Sequence, residues 1–184
     1  MKLKPIQGAV NIPFSRQRYE TSDAPAKDIV IDYLKRNGHE ILDSKEDFSV
    51  DIKSKKGDNM YFSEVEIKYG WKGDWNPDWK EIRIPYRKHK LINRVAELDG
   101  FFNFYILRSD KKAAWRIKDN VVAEADVREA RGRNIVKGEH FFHIPYEKAE
   151  LIKFDSITSS SSRKAGISYK LSYILIFTAY LTNF

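Results

Sequence analysis

The chain has 184 residues, of which 42% are hydrophobic and 32% are charged, and it contains no cysteine. This length supports one domain with a substantial core and is short for two domains. The composition is that of a soluble globular protein, and the lack of cysteine excludes a disulfide scaffold and any thiolate metal site. The first residues contain no apolar segment of signal-peptide length, so we expect a cytoplasmic protein.

The net charge of +7 is unevenly distributed along the chain. Residues 157–184 contain Arg163, Lys164 and Lys170 and no acidic residue, so they carry +3, and the first 156 residues carry +4. A mildly basic balance is compatible with a polyanionic partner such as nucleic acid, although many unrelated proteins share it.

The predicted elements follow the order α-β-β-β-α-β-β-α and indicate an α/β fold with a mixed sheet flanked by helices. Ser22 or Asp23 can cap the first helix, which Asn37 and Gly38 end. The elements predicted after it are a strand at 39–43, a hairpin at 49–68 with its turn at 56–59, a loop at 70–79, an extended segment at 81–85, a helix at 87–98, strands at 101–107 and 113–117, a third helix at 121–131, and short closing elements at 140–144 and 149–154.

Three parts are predicted along the chain: an N-terminal arm at 1–21, a domain at 22–156, and a serine-rich linker with an apolar tail at 157–184. The uncharged run after Lys170 is shorter than the ~20 residues that a bilayer requires, so we expect no membrane span. A terminal strand that docks on the sheet or on a second subunit, and an accidental extension, are the two remaining interpretations of the tail.

The hairpin carries the most informative residues. Glu64, Glu66 and Lys68 share one face of its second strand because side chains alternate with a period of two, and a hairpin register can bring Asp51 beside them. Two carboxylates next to an ammonium are costly unless a cation or a phosphate uses them. The alternative interpretation is a solvated ladder of surface charges, and Glu64 itself is expected to form a salt bridge.

The spacing of Asp51 and Glu66-Ile67-Lys68, with the second group at the end of an apolar strand, resembles the motif of the PD-(D/E)xK nuclease superfamily, whose fold is restriction-endonuclease-like. The pattern is most similar to the archaeal Holliday-junction resolvase branch. There, too, a helix ending in Gly precedes a short strand, an Asp-Ile pair, a turn and a strand ending in Glu-x-Lys. The similarity covers roughly residues 26–69, and it departs from the family pattern at Val50, where that pattern has proline.

The resemblance implies a restriction-endonuclease-like α/β domain that acts as a Mg²⁺-dependent deoxyribonuclease, with Mn²⁺ as a substitute. Asp51, Glu66 and the backbone carbonyl of Ile67 would bind the metal, because Mg²⁺ prefers oxygen ligands and lowers the pKa of water that it binds. Lys68 would orient that water or neutralise the charge that develops on the phosphate. Water would attack the phosphodiester in line and leave a 5′-phosphate, with DNA as the partner and a homodimer as the expected assembly.

Many members of this superfamily add an acidic residue from the first helix. Asp28 and Glu20 are the candidates here, whereas Asp23 is more simply interpreted as the cap of that helix.

The segment after the hairpin supplies candidates for DNA contacts. Trp71, Trp75 and Trp79 could stack on unpaired bases, or they could hold their loop in place by packing on one another. Arg83, Arg87, Lys88 and Lys90 are candidates for phosphate contacts.

Two functions from other classes fit the same sequence. One is a non-catalytic nucleic-acid-binding module that keeps the fold, and the other is a structural or assembly protein in which the apolar tail joins subunits. Stabilisation by Mg²⁺ distinguishes them from a nuclease, because carboxylates that bind no metal gain little from millimolar Mg²⁺.

Overall fold

A computed structural model describes residues 23–44, 50–130, 135 and 137–154. The predicted arm at 1–21 and the tail at 157–184 lie outside the described residues, so the division of the chain into three parts stays a prediction. None of the described helices is long and apolar enough to cross a membrane.

The described chain contains nine strands and three α-helices. They are α1 (Ala24–Arg36), β1 (Glu40–Asp43), β2 (Ile52–Lys56), β3 (Asn59–Lys68), β4 (Glu81–Pro85), α2 (His89–Glu97), β5 (Phe101–Arg108), β6 (Ala113–Lys118), α3 (Asp119–Ala123), β7 (Asp126–Glu129), β8 (His140–Pro145) and β9 (Glu150–Lys153). A 3₁₀ turn, Tyr86–Lys88, precedes α2, and a second, Tyr146–Lys148, follows β8.

Six strands form one sheet in the order β1-β2-β3-β5-β6-β9. β3 and β5 are parallel, and the other neighbouring pairs in this sheet are antiparallel. A parallel pair requires a crossover, which here includes α2. The mixed sheet with helices beside it confirms the predicted α/β class. The order of elements from α1 to β3 is also the order that the resemblance implied.

The two long helices cover opposite faces of this sheet. Ala26, Val30 and Leu34 of α1 pack in one apolar cluster with Ile67 of β3, whereas α2 belongs to a second cluster that contains Phe62 of β3. Because odd and even positions of a strand point to opposite faces, the odd side chains of β3 face α1 and the even ones face α2. Glu64, Glu66 and Lys68 therefore lie on the α2 side.

A second sheet of three strands, in the order β4-β8-β7, was not expected as a separate layer. The predicted helix at 121–131 is wrong, because α3 ends at Ala123 and Asp126–Glu129 forms a strand paired with β8. Val127 of this strand pairs with Phe142, which is fully buried. Pairing to a buried neighbour outweighs the weak helical preference of so short a segment.

The predicted turns are found where the glycines require them. Gly57 has a φ of 58° between β2 and β3, and Gly38 has a φ of 80° just after α1. Positive φ is strained for residues with a Cβ, so these two glycines end the helix and close the hairpin.

Candidate active site

Asp51 is fixed beside β3 through both its backbone and its side chain. Its N–H donates to the Ser63 carbonyl at 3.1 Å, and its Oδ2 accepts a hydrogen bond from the Val65 N–H at 2.8 Å. The carboxylate thus continues the pairing of β3 just before β2 begins at Ile52. This arrangement holds Asp51 at the edge of β3, one residue along the strand from Glu66.

The Ile67 carbonyl points to the same side of β3. Along a strand, the N–H and C=O groups of alternate residues point toward the same neighbour. Ser63 and Val65 direct theirs toward Asp51, so Ile67 directs its own toward the β2 side, beyond the end of β2. The carbonyl therefore lies on the side of β3 where Asp51 is held.

Glu66 is accessible to solvent, and yet it lies among protein atoms and other charges. Its partial removal from water raises its pKa, and the carboxylates of Asp23 and Asp51 raise it further. Arg87 and Lys68 oppose this shift. Since these charged groups act on one carboxyl, Glu66, Lys68 and Asp51 lie in one electrostatic neighbourhood.

Lys68 lies next to Glu66 on the same face of β3. Burial lowers the pKa of its ammonium, Glu66 raises it and Arg83 lowers it again. Its Nζ lies 4.9 Å from the ring centre of Trp79 and 5.8 Å from that of Trp75, which are cation–π distances. The rings and Glu66 therefore hold the ammonium in place beside the carboxylate.

These residues suit a hard divalent cation with few protein ligands. Within the described part of the chain, no three His, Asp or Glu side chains are grouped closely enough to hold a metal ion. Mg²⁺ is usually bound by one or two carboxylates, with waters and substrate phosphates as the remaining ligands. Asp51, Glu66 and the Ile67 carbonyl fit that pattern, and the raised pKa of Glu66 indicates a carboxylate that would gain from a cation.

Asp23, which directly precedes α1, is the acidic residue at this helix whose charge raises the pKa of Glu66. Asp28 is exposed, whereas Asp23 acts on the pKa of Glu66 and makes no side-chain capping hydrogen bond. Asp23 thus occupies the predicted cap position without that hydrogen bond, and Asp28 as the helical acid stays a prediction. Glu20, the other candidate, lies outside the described residues.

The helical periodicity of α1 indicates the direction in which Asp28 points. Successive residues of a helix are 100° apart, so Asp28 is about 200° from both Ala26 and Val30, which face the sheet. Asp28 thus points away from β3.

Lys27 is a residue of this site that the sequence analysis missed. It is only 5% exposed, and its Nζ lies 3.6 Å from Asp51 Oδ1 and 3.4 Å from the Ser44 carbonyl. Its position next to Ala26 on the inner face of α1 could have identified it as a buried cation, which must have a partner.

The tryptophan loop is held by its own aromatic rings. Trp71 is 2% exposed and stacks on Trp115 at 6.1 Å, so its ring packs inside the protein. Trp75 contacts Trp71 and Trp79 edge to face, each at 5.2 Å, and its Nε1–H donates to the Trp79 carbonyl at 2.8 Å. These contacts favour the second interpretation of the loop, in which its aromatic residues fix its shape.

The predicted phosphate-binding residues differ in how far their charge is already neutralised. Arg87 forms an ion pair with Glu139, and Lys88 forms one with the buried Glu64, which confirms the salt bridge expected for Glu64. Lys90 is exposed. Arg83 is exposed and lines a cleft of about 470 Å³ together with Lys68, Asp78, Trp79, Lys80 and Glu81.

Glu81 lies on the wall of this cleft, and its pKa is shifted in the opposite direction to that of Glu66. Its hydrogen bond to His143, at 2.8 Å, and its ion pair with Arg128 hold its pKa below the usual range. Its charge is thus already compensated by neighbouring residues.

No protein-family model and no curated protein matches the chain. Among solved structures, it is similar to Hjc of Archaeoglobus fulgidus, a Holliday junction resolvase from an archaeal hyperthermophile. The TM-score is 0.42 and the identity is 12%, over 66% of this chain and 91% of that chain. A likeness of this size does not identify a family, so the function of the site has to be inferred from its own residues.

Proposed function

We propose that the protein is a divalent-metal-dependent deoxyribonuclease that hydrolyses phosphodiester bonds at the end of β3. The observation that supports this proposal most directly is the proximity of the Glu66 carboxyl to a second acidic residue, Asp51, and to the ammonium of Lys68. The charges of Asp51 and Lys68 both act on the Glu66 carboxyl. Such a group is costly to maintain unless it binds a cation or a phosphate.

Three groups would hold the cation: the carboxylates of Asp51 and Glu66 and the carbonyl of Ile67. When bound, a divalent cation would supply positive charge for the phosphate and would lower the pKa of water. The Val65 N–H orients Asp51 Oδ2, which leaves Asp51 Oδ1 for another partner besides Lys27. Glu66 must be ionised to serve as a ligand, so its raised pKa makes metal binding at this site sensitive to pH.

Lys68 would act on the phosphate or on the attacking water. Its ammonium lies on the face that carries Glu66, and the rings of Trp75 and Trp79 restrict its motion. A donor held in advance near the position where negative charge develops stabilises the transition state without reorganisation.

The adjoining cleft is suited to a phosphate backbone. Arg83 and Lys80 line it with Lys68, and both are exposed. Contacts of this kind position a nucleic acid without reading its sequence. The cleft supports a nucleic acid bound through its backbone, and the resemblance to the PD-(D/E)xK pattern implies that this nucleic acid is DNA and that the product carries a 5′-phosphate.

Cleavage assays with matched variants test this proposal. Linear duplex, single-stranded, flap and four-way-junction DNA would be incubated with Mg²⁺, with Mn²⁺ and with EDTA. The wild type should cleave at least one of them only in the presence of metal. Glu66→Gln and Lys68→Ala should each reduce the rate by about 100-fold or more, a typical loss for a group that acts on the transition state.

Glu147→Gln and Lys153→Ala are the matched controls, because they remove the same charges from exposed residues on other elements. Both should cleave at the wild-type rate. DNA that is retarded on a gel but never cleaved would replace the proposal with a non-catalytic binding module. Neither cleavage nor binding would leave the assembly protein as the remaining interpretation.

A further inference from the structure

A second cavity lies at the other end of β3, on the opposite face of the sheet. It has a volume of about 590 Å³, which is within the usual range for small-molecule sites. Tyr61 of β3 lines it, five residues before Glu66, and odd and even positions face opposite ways. At about 3.3 Å per residue, the two positions are roughly 16 Å apart along the strand. The cavity, which we call the ring pocket, is thus separate from the site of Asp51 and Glu66.

Three aromatic rings form a continuous wall of the ring pocket. The ring of His39 meets that of Tyr61 edge to face at 4.8 Å, and Tyr61 stacks on Phe101 at 5.3 Å with 24° between the ring planes. Phe101 is 48% exposed although it is a large apolar residue in a strand. The stack of rings therefore ends on an aromatic surface that is open to solvent.

Cations surround the same pocket. Lys56, Lys118 and Arg116 line it, and Lys56 and Arg116 both act to lower the pKa of His39, after the larger effect of burial. Within the described part of the chain, neither Lys56 nor Lys118 has a carboxylate partner. Such an arrangement of positive charges favours an anionic ligand.

The acidic groups near the pocket already have ion-pair or hydrogen-bond partners within the protein. Glu150 forms an ion pair with Arg116, and Asp119 accepts hydrogen bonds from the N–H groups of Phe102 and Asn120 at 3.0 and 2.7 Å. The Asn103 amide lines the pocket, is 8% exposed as a residue, and has no hydrogen-bond partner among the described residues. Its amide atoms are reached by solvent and are free to form hydrogen bonds with a ligand.

We propose that the ring pocket binds a nucleotide, with the base stacked on Phe101 and the phosphate placed between Lys56 and Lys118. Stacking suits a flat base, because aromatic surfaces accept every base. The Asn103 amide can both donate and accept hydrogen bonds, which suits a sugar hydroxyl or a base edge. A free nucleotide and a nucleotide of a nucleic-acid strand share this chemistry.

Binding measurements with defined probes test the proposal. Calorimetric titrations in EDTA would use AMP, adenosine, ribose 5-phosphate and a short 5′-phosphorylated oligodeoxynucleotide. AMP should bind more tightly than either fragment, because only AMP carries both base and phosphate. Tighter binding of the oligonucleotide than of AMP would assign the site to a strand, and equal or weaker binding would assign it to a free nucleotide.

Variants of the pocket locate the site. Phe101→Ala should weaken AMP binding about tenfold or more through lost stacking, and Lys118→Met should weaken it several-fold. Leu151→Ala and Lys153→Met are the matched controls, since Leu151 is 43% exposed on β9 and Lys153 is exposed beside it. If Phe101→Ala fails to fold, Phe101→Leu keeps the apolar volume and still removes the aromatic surface.

Two outcomes would overturn the nucleotide proposal. One is no saturable binding of AMP or of the oligonucleotide to the wild type. The other is binding that survives the substitutions of Phe101 and Lys118 but is lost in Lys68→Ala, which would place the ligand at the proposed cleavage site instead. Failure of the nuclease proposal alone would leave AMP binding unchanged, so the two proposals fail separately.

Discussion

At its C-terminal end β3 carries Glu66 and Lys68 beside Asp51, whereas toward its N-terminal end Tyr61 lies between aromatic rings, with Lys56 and Lys118 nearby. At the first end, the pKa of Glu66 is raised despite the cations nearby, so its carboxylate would gain from a further cation. At the second end, Lys56 and Lys118 have no carboxylate partner among the described residues. A single strand thus borders two sites that would take ligands of opposite sign, on opposite faces of the sheet. The difference shows that it is the local balance of charge, and not the net charge of the chain, that indicates the kind of partner.

The largest effect on stability is expected at Glu64, a buried carboxylate near the C-terminal end of β3 that forms an ion pair with Lys88. Lys88→Met leaves Glu64 ionised and unpaired at 8% exposure, which should lower the free energy of unfolding by about 3 kcal/mol. Urea unfolding measures this loss. The double variant Glu64→Gln with Lys88→Met should recover part of the stability, because no charge is then left buried.

Lys148→Met is the control for that experiment. Lys148 and Glu124 are 3.9 Å apart, and both side chains are more than half exposed. Its removal should change the free energy of unfolding by no more than about 0.5 kcal/mol. Equal losses in the two variants would mean that the Glu64–Lys88 pair is not buried as described.

A smaller effect on stability, whose sign depends on Mg²⁺, is expected at Glu66. Because the folded state raises the pKa of this carboxyl, keeping it ionised costs stability above that pKa. The cost disappears as the pH falls through the raised pKa toward 4.5, the ordinary pKa of a glutamate. In EDTA, Glu66→Gln should therefore be more stable than the wild type at neutral pH, and this advantage should vanish in acid.

Mg²⁺ should reverse that order. At a concentration ten times its dissociation constant, the metal would stabilise the wild type by about 1.4 kcal/mol and would stabilise Glu66→Gln much less. Thermal melts at several pH values with and without Mg²⁺ measure both effects. A wild type that gains nothing from Mg²⁺ at any pH would contradict the metal site.

The smallest effect is expected at the second end of β3. Lys56→Met removes one of the two cations that lower the pKa of His39, so this pKa should rise. Burial, the larger cause, is unchanged, and the pKa should stay below 6.5. The shift can be followed by NMR titration, with His140 as an internal reference in the same spectra. An unchanged His39 pKa would show that Lys56 does not contribute to the potential of the ring pocket.

The hairpin and its charged face could be predicted because period-two alternation and a glycine turn are strong local signals. The strand at Asp126–Glu129 could not, since four residues are too few to show a period and the stability of the strand comes from pairing with β8. The burial of Trp71 depends on Trp115, which lies far along the chain, so no local pattern contains it. The position of Asp23 near Glu66 was accessible in principle from the phase of α1.

The ring pocket shows the same limit. Its wall joins residues from the end of α1, from β3 and from β5, which only the parallel pairing of Tyr61 with Phe101 brings together. Taken singly, His39, Tyr61 and Phe101 are unremarkable residues of their elements. Contacts between distant segments, rather than motifs, define this site.

The tryptophan cluster has a practical consequence for spectroscopy. All four tryptophans of the chain, Trp71, Trp75, Trp79 and Trp115, pack against one another beside Lys68. The indole emission and the near-ultraviolet circular dichroism of the protein should therefore report on a single location, next to the proposed cleavage site. A ligand that enters the cleft should change both signals, whereas a ligand in the ring pocket should leave the emission almost unaltered and act on tyrosine instead. The protein thus contains its own optical label for distinguishing the two sites.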